Sequence, residues 1–70
     1  MTVVEITSEP VELYKILKFE GIVASGAEAK SVIADGHVLV NGAIETRKRK
    51  KILSGDIVEF ANTTMQIQLI

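Results

Sequence analysis

The hydrophobic period of this chain changes once, near Gly36, and that change limits what it can fold into. Between Val11 and Ile33 apolar residues recur three and four apart; from His37 onward they alternate. The first period is that of a helix face and the second that of a half-buried strand. The pattern predicts an α+β fold: two packed helices followed by a small antiparallel sheet. With 70 residues the chain holds one domain, spanning 1–70. The large α/β enzyme folds, at roughly 200 residues or more, are excluded. Val, Ile and Leu number 22, and 17 of them are β-branched Val or Ile, which favours sheet and argues against disorder. There is no Cys, so neither a disulfide nor a thiolate metal site is available to so small a core.

Local signals place the elements. Thr2 to Ile6 reads as a short strand. Ser8-Glu9-Pro10 is predicted to open the first helix, with a capping side chain, an acid near the positive helix end and a Pro in the first turn. Leu13, Ile16 and Leu17 form its stripe, Val11 and Tyr14 lie beside it, and Gly21 stops it. Ser25-Gly26-Ala27-Glu28 fits a capping box for the second helix, in which Glu28 would reach back to the Ser25 N–H. Ala29, Val32 and Ile33 form that helix's stripe, and small Ala29 would let the helices meet closely. Asn41-Gly42 predicts a tight hairpin, because a type I′ turn needs positive φ at both central residues. Ser54-Gly55-Asp56 and Ala61 to Thr64 read as turns around the strand Ile57 to Phe60; Met65 to Leu69 alternates as a last strand.

The formal net charge of −1 hides an asymmetry. Residues 1–29 carry net −3, residues 30–51 net +4 and residues 52–70 net −2. Five of the eight basic residues form one run, Arg47, Lys48, Arg49, Lys50 and Lys51. Such a block is an electrostatic footprint for a polyanion or a solvated loop that aids solubility. If extended, it would set Arg47, Arg49 and Lys51 in one row. The N-terminus lacks the basic start and apolar run of a secretory signal, and no run approaches membrane-span length, so a cytoplasmic setting is expected.

In order and spacing, Leu13, Leu17, Gly21-Ile22-Val23, Ser25, Ala29-Lys30, Ile33, Gly36, Val38, Val40-Asn41-Gly42 and Gly55-Asp56 resemble the RNA-binding domain named after small-subunit ribosomal protein S-four, the alpha-L motif. The likeness runs from Val11 to Val58, motif core 11–58, and the chain looks like a short stand-alone bacterial member. The resemblance implies a module for structured RNA, ribosomal or transfer RNA, with the ribosome or RNA-processing proteins as further partners. Carried over by position, the implied surface is Ser25, Gly26, Lys30, the Asn41-Gly42 turn and Thr46 to Lys51. Two positions depart from it. Many members carry Arg before the first Leu of helix one, where this chain has Glu12, and Arg after the capping Ser, where it has Gly26. The Arg47 to Lys51 block would compensate.

The chemistry of these residues agrees with phosphate binding. Arg47 and Arg49 can fork onto phosphate oxygens, while Lys48, Lys50 and Lys51 act as mobile point charges. The start of helix two at Ser25-Gly26 is either a phosphate cradle or a plain capping box. Lys30, one turn on, is expected to be exposed. Asn41 tolerates positive φ and has an amide that could touch sugar or base; Asp56 reads as a turn acid. His37 is the only His, too few for a metal site. The aromatics are Tyr14, Phe19 and Phe60, with Phe60 expected in the core, so no stacking platform for single strands is expected. No catalytic constellation stands out and no cofactor is implied. The competing reading is a protein-interaction module that uses an acidic first helix near Glu9, Glu12 and Glu20 together with the basic loop. A DNA-binding accessory would share the phosphate chemistry but lack recognition of the 2′-hydroxyl.

Overall fold

The computed structural model describes residues 1–70. In chain order its elements are β1 (Thr2–Ile6), β2 (Val11–Glu12), α1 (Leu13–Phe19), α2 (Gly26–Ala34), β3 (Val38–Val40), β4 (Ala43–Ile44), β5 (Lys51–Ile52), β6 (Ile57–Phe60) and β7 (Thr63–Leu69). The α+β class holds. Five strands form one sheet in the order β1-β7-β6-β3-β4, and β2 pairs with β5 in a separate ribbon.

The sheet is mixed rather than purely antiparallel. β1 runs parallel to β7, from Thr2 opposite Met65 to Ile6 opposite Leu69. A parallel pair needs a long connection, and here both helices and all the other strands intervene between the two. The remaining pairs are antiparallel. Asn41 and Gly42 take φ of 52° and 84°, so the β3–β4 turn has the conformation expected of it. The turn predicted over Ala61 to Thr64 is shorter. Phe60 faces Thr63 across the ladder, which leaves only Ala61 and Asn62 in the loop.

One face of the sheet meets the helices. Alternation turns Val4, Ile6, Val38, Val40, Val58, Met65 and Ile67 inward. They share one cluster with Leu13, Ile16, Leu17, Ala29, Ile33, Val23 and Ile52, and no polar side chain is buried with them. Each large member stabilises the fold by burial; truncating one such as Leu17 to Ala would cost about 2–5 kcal/mol. Phe60 is half-buried and packs against this cluster. No helix is long and apolar enough to cross a membrane.

Helix α1 begins at Leu13, not near Pro10 as predicted. The Glu9–Pro10 peptide is cis, and Val11 and Glu12 pair with Ile52 and Lys51 as strand. Glu12 occupies the cap position without a capping side-chain bond. The first free helical N–H groups are instead taken up by carbonyls from the basic run: Leu13 donates to Lys50 at 2.9 Å and Tyr14 to Lys48 at 3.1 Å. Tertiary structure thus supplies the cap that Ser8 was expected to provide.

Candidate nucleic-acid interface

The basic run is held at both ends. Glu45 N–H donates to the Val38 carbonyl at 2.9 Å, and Lys51 lies opposite Glu12 in the ribbon. Buried Ile52 anchors the chain immediately after Lys51. Between these points the chain turns at Lys48-Arg49, and Lys50 N–H donates to the Arg47 carbonyl at 3.2 Å. The straight row of Arg47, Arg49 and Lys51 therefore does not form. Instead Arg47, Arg49, Lys50 and Lys51 line an open hollow of about 380 Å³, with no apolar residue and no acid in its lining. Lys48 is exposed outside that lining, and Thr46 is exposed on the approach to it.

Two acids sit against this turn. Glu45 receives the Arg47 guanidinium at 2.9 Å and 3.2 Å and the Arg47 backbone N–H at 3.1 Å. Hydrogen bonding from Arg47 holds the Glu45 carboxyl below its usual range, and the same bond raises the already high value of Arg47. Glu12 lies 3.3 Å from Lys15 and 3.8 Å from Arg49. The position where relatives were expected to carry Arg thus holds an acid facing the basic turn.

Lys30 is half-buried, not freely exposed as expected. Its ammonium sits 4.7 Å from the centre of the Tyr14 ring, and that of Lys15 sits 5.9 Å away. A cation over a ring face is held there by about 0.5–1 kcal/mol at an exposed site. Tyr14 also carries the N–H bound by Lys48, so one residue touches both the basic turn and α2. Sequence reasoning did not place Tyr14 and Lys15 beside Lys30 and the basic turn; they look like ordinary members of an amphipathic helix. A Cβ added at Gly26 would meet Tyr14 and Lys18 atoms at 3.9 Å, ordinary contact, so nothing in the packing forbids the Arg that relatives were expected to have there.

Two expected contacts are otherwise engaged. Ser25 Oγ accepts the Glu28 N–H at 3.2 Å, and Glu28 reaches back to the Ala24 N–H at 2.7 Å, one residue earlier than predicted. The start of α2 is occupied by its own carboxylate, which fits the capping alternative for Ser25 and opposes a phosphate there. Asn41 donates from Nδ2 to Asp56 at 3.0 Å and accepts the Ile57 N–H at 2.9 Å. Asp56 also accepts the Leu53 N–H at 2.9 Å, as expected of a turn acid. Asn41 thus ties two turns together, so its amide is not a free reader of sugar or base. His37 is half-buried at the start of β3. The chain gathers no group of three His, Cys, Asp or Glu side chains suited to a metal.

Comparison with known proteins agrees with this arrangement. Residues 4–68 match the S4 domain. The chain belongs to the S4-domain family. YbcJ of Escherichia coli (strain K12) is 54% identical over 57 residues, covering 81% of each chain. The solution structure of YbcJ superposes with a TM-score of 0.74 at 48% identity, covering 97% of this chain and 87% of that one. That structure is described as revealing an alpha-L motif involved in RNA binding. A Bacillus subtilis (strain 168) protein named "Probable ribosome maturation protein RlbA" is 34% identical over 56 residues, 80% of this chain and 79% of its own. The S4 match includes most of β1 and most of β7, beyond the 11–58 core read from motifs.

Proposed function

We propose that this S4-domain chain is a small cytoplasmic RNA-binding protein that grips structured RNA, ribosomal or transfer RNA, through its basic turn. The carrying observation is that four cations converge on one hollow within a fold shared with YbcJ, a protein described as holding an RNA-binding motif. Arg49, Lys50 and Lys51 meet phosphates there, Arg47 forms the rim, and Lys48 and Thr46 flank it. Lys30, steadied on Tyr14, extends the positive surface onto α2, with Gly26 beside it. Ser25 and Asn41 shape the backbone around that surface. Phe19 is the one widely exposed aromatic side chain, so recognition through shape and phosphate fits better than stacking on single strands. The name of the Bacillus relative supports ribosomal RNA as the target class.

The protein-interaction reading draws less support. Glu9 accepts the Ser54 N–H at 2.8 Å and Glu12 pairs within the chain, so two of the three acids it relies on have internal partners. A matched titration tests the proposal: structured RNA against duplex DNA of equal length and charge. RNA should bind more tightly, because A-form shape and the 2′-hydroxyl are absent from DNA. Equal affinities would leave a generic polyanion binder.

A further inference from the structure

We propose that the hollow of the basic turn is a discrete site for closely spaced phosphates, either a short oligophosphate or two phosphates brought together where an RNA backbone bends. This deepens the RNA-binding reading and rests on it. The lining decides the ligand's chemistry. It consists of Arg47, Arg49, Lys50 and Lys51 alone, so its walls are the aliphatic stems of side chains that each end in a cationic donor, and a compact anion can draw all four heads onto itself. At about 380 Å³ the hollow is near the small end of ligand sites, which run from about 300 to 1,000 Å³. That size suits a phosphate cluster better than a length of duplex.

The backbone is already organised for such a ligand. The Lys50–Arg47 turn bond and the two bonds from α1 to Lys48 and Lys50 fix the loop before anything binds. Little backbone order is then lost on binding, which favours affinity. The four cations repel one another, and a compact polyanion relieves that repulsion where a single straight strand would reach only some of them. The cations are not equivalent. Arg47 is gripped in fork geometry by Glu45, whereas Arg49 is touched only at 3.8 Å by Glu12. Lys50 and Lys51 have no ion-pair partner within 4.0 Å. Arg47 therefore fixes the rim while Arg49, Lys50 and Lys51 turn onto the ligand.

The test is an NMR titration of the full chain at low ionic strength with sodium tripolyphosphate and, separately, orthophosphate. Tripolyphosphate should shift amides of Arg47 to Lys51, Leu13 and Tyr14 saturably, and bind at least about tenfold tighter than orthophosphate, a difference of about 1.4 kcal/mol. The paired substitution Lys50→Gln and Lys51→Gln should weaken it by a similar factor. Tripolyphosphate should also displace a bound RNA hairpin. Comparing that hairpin with a 5′-triphosphate and with a 5′-hydroxyl separates the sources: tighter binding of the triphosphate form assigns the site to an RNA end, and equal binding assigns it to an internal bend. Shifts that never saturate, or that spread equally over Lys15, Lys18 and Lys30, would overturn the discrete site. So would hairpin RNA that binds but is not displaced, which leaves the RNA reading intact. Saturable tripolyphosphate binding with no binding of any RNA would support the hollow and overturn the RNA reading instead.

Discussion

Glu45 holds the Arg47 guanidinium by two side-chain hydrogen bonds, at 2.9 Å and 3.2 Å, just before the basic turn closes. The pair keeps one of the five clustered cations occupied within the chain. Glu45→Gln should free Arg47, tighten RNA binding and steepen its log–log salt dependence by roughly 0.7–0.9, one phosphate's worth. The same pair makes stability depend on pH. Arg47 holds the folded-state value of Glu45 below its ordinary one, so its contribution is present above the ordinary glutamate range and fades as pH falls through the depressed value. Chemical denaturation of wild type and Glu45→Gln across pH should show a difference at neutral pH that vanishes in acid.

Glu12 bears on the same surface from the start of α1, 3.8 Å from Arg49. Glu12→Arg should tighten RNA binding by about 0.5–2 kcal/mol, a charge reversal at a screened surface. It places a cation at a helix start and beside Lys15, so stability should fall by about 0.3–1 kcal/mol. Paired RNA titrations and thermal melts check both. Unchanged affinity would mean that α1 does not face the RNA.

Tyr14 and Lys30 should act as a coupled pair. Tyr14→Phe keeps a ring under the ammonium and should leave RNA affinity near wild type. Tyr14→Leu should weaken it by about 0.5–1 kcal/mol, and should cost far less when Lys30 is already Met. A double-mutant cycle on RNA affinity reads the coupling directly. Additive losses would mean that Tyr14 does not position Lys30.

Ala61 takes φ of 55° at the first position of the two-residue β6–β7 turn, and Asn62 does not share the positive φ. That is the φ pattern of a type II′ turn, which favours Gly first. The left-handed region costs a non-Gly residue about 1–2 kcal/mol, and Gly's freedom in the unfolded chain returns about 0.4–1 kcal/mol of it. Ala61→Gly should therefore stabilise the fold by about 0.5–1 kcal/mol in denaturant melts, with RNA affinity unchanged.

Features that act locally are legible in the sequence, and long-range ones are not. Asn41-Gly42 and Ser25 act through their own or neighbouring backbone, and both do what their residue types imply. The start of α1 escapes sequence reasoning because its cap comes from Lys48 and Lys50, more than thirty residues away. The same two carbonyls fasten the basic run as a turn, so a charge pattern plain in the sequence takes a shape that is not. The pairing of β1 with β7 joins the two ends of the chain and has no local signature. Glu28 bonding Ala24 instead of Ser25 is a shift of one residue within a motif correctly located.

Replacing Arg47, Lys48, Arg49, Lys50 and Lys51 together by Gln or Ser tests the basic turn as the RNA-binding surface most directly. All but Lys50 are exposed, and the turn is fastened to α1 through backbone carbonyls that the substitutions keep. Circular dichroism should remain native while titration with structured RNA shows binding lost. A variant with native circular dichroism and undiminished RNA affinity would contradict the assignment and move the binding surface elsewhere.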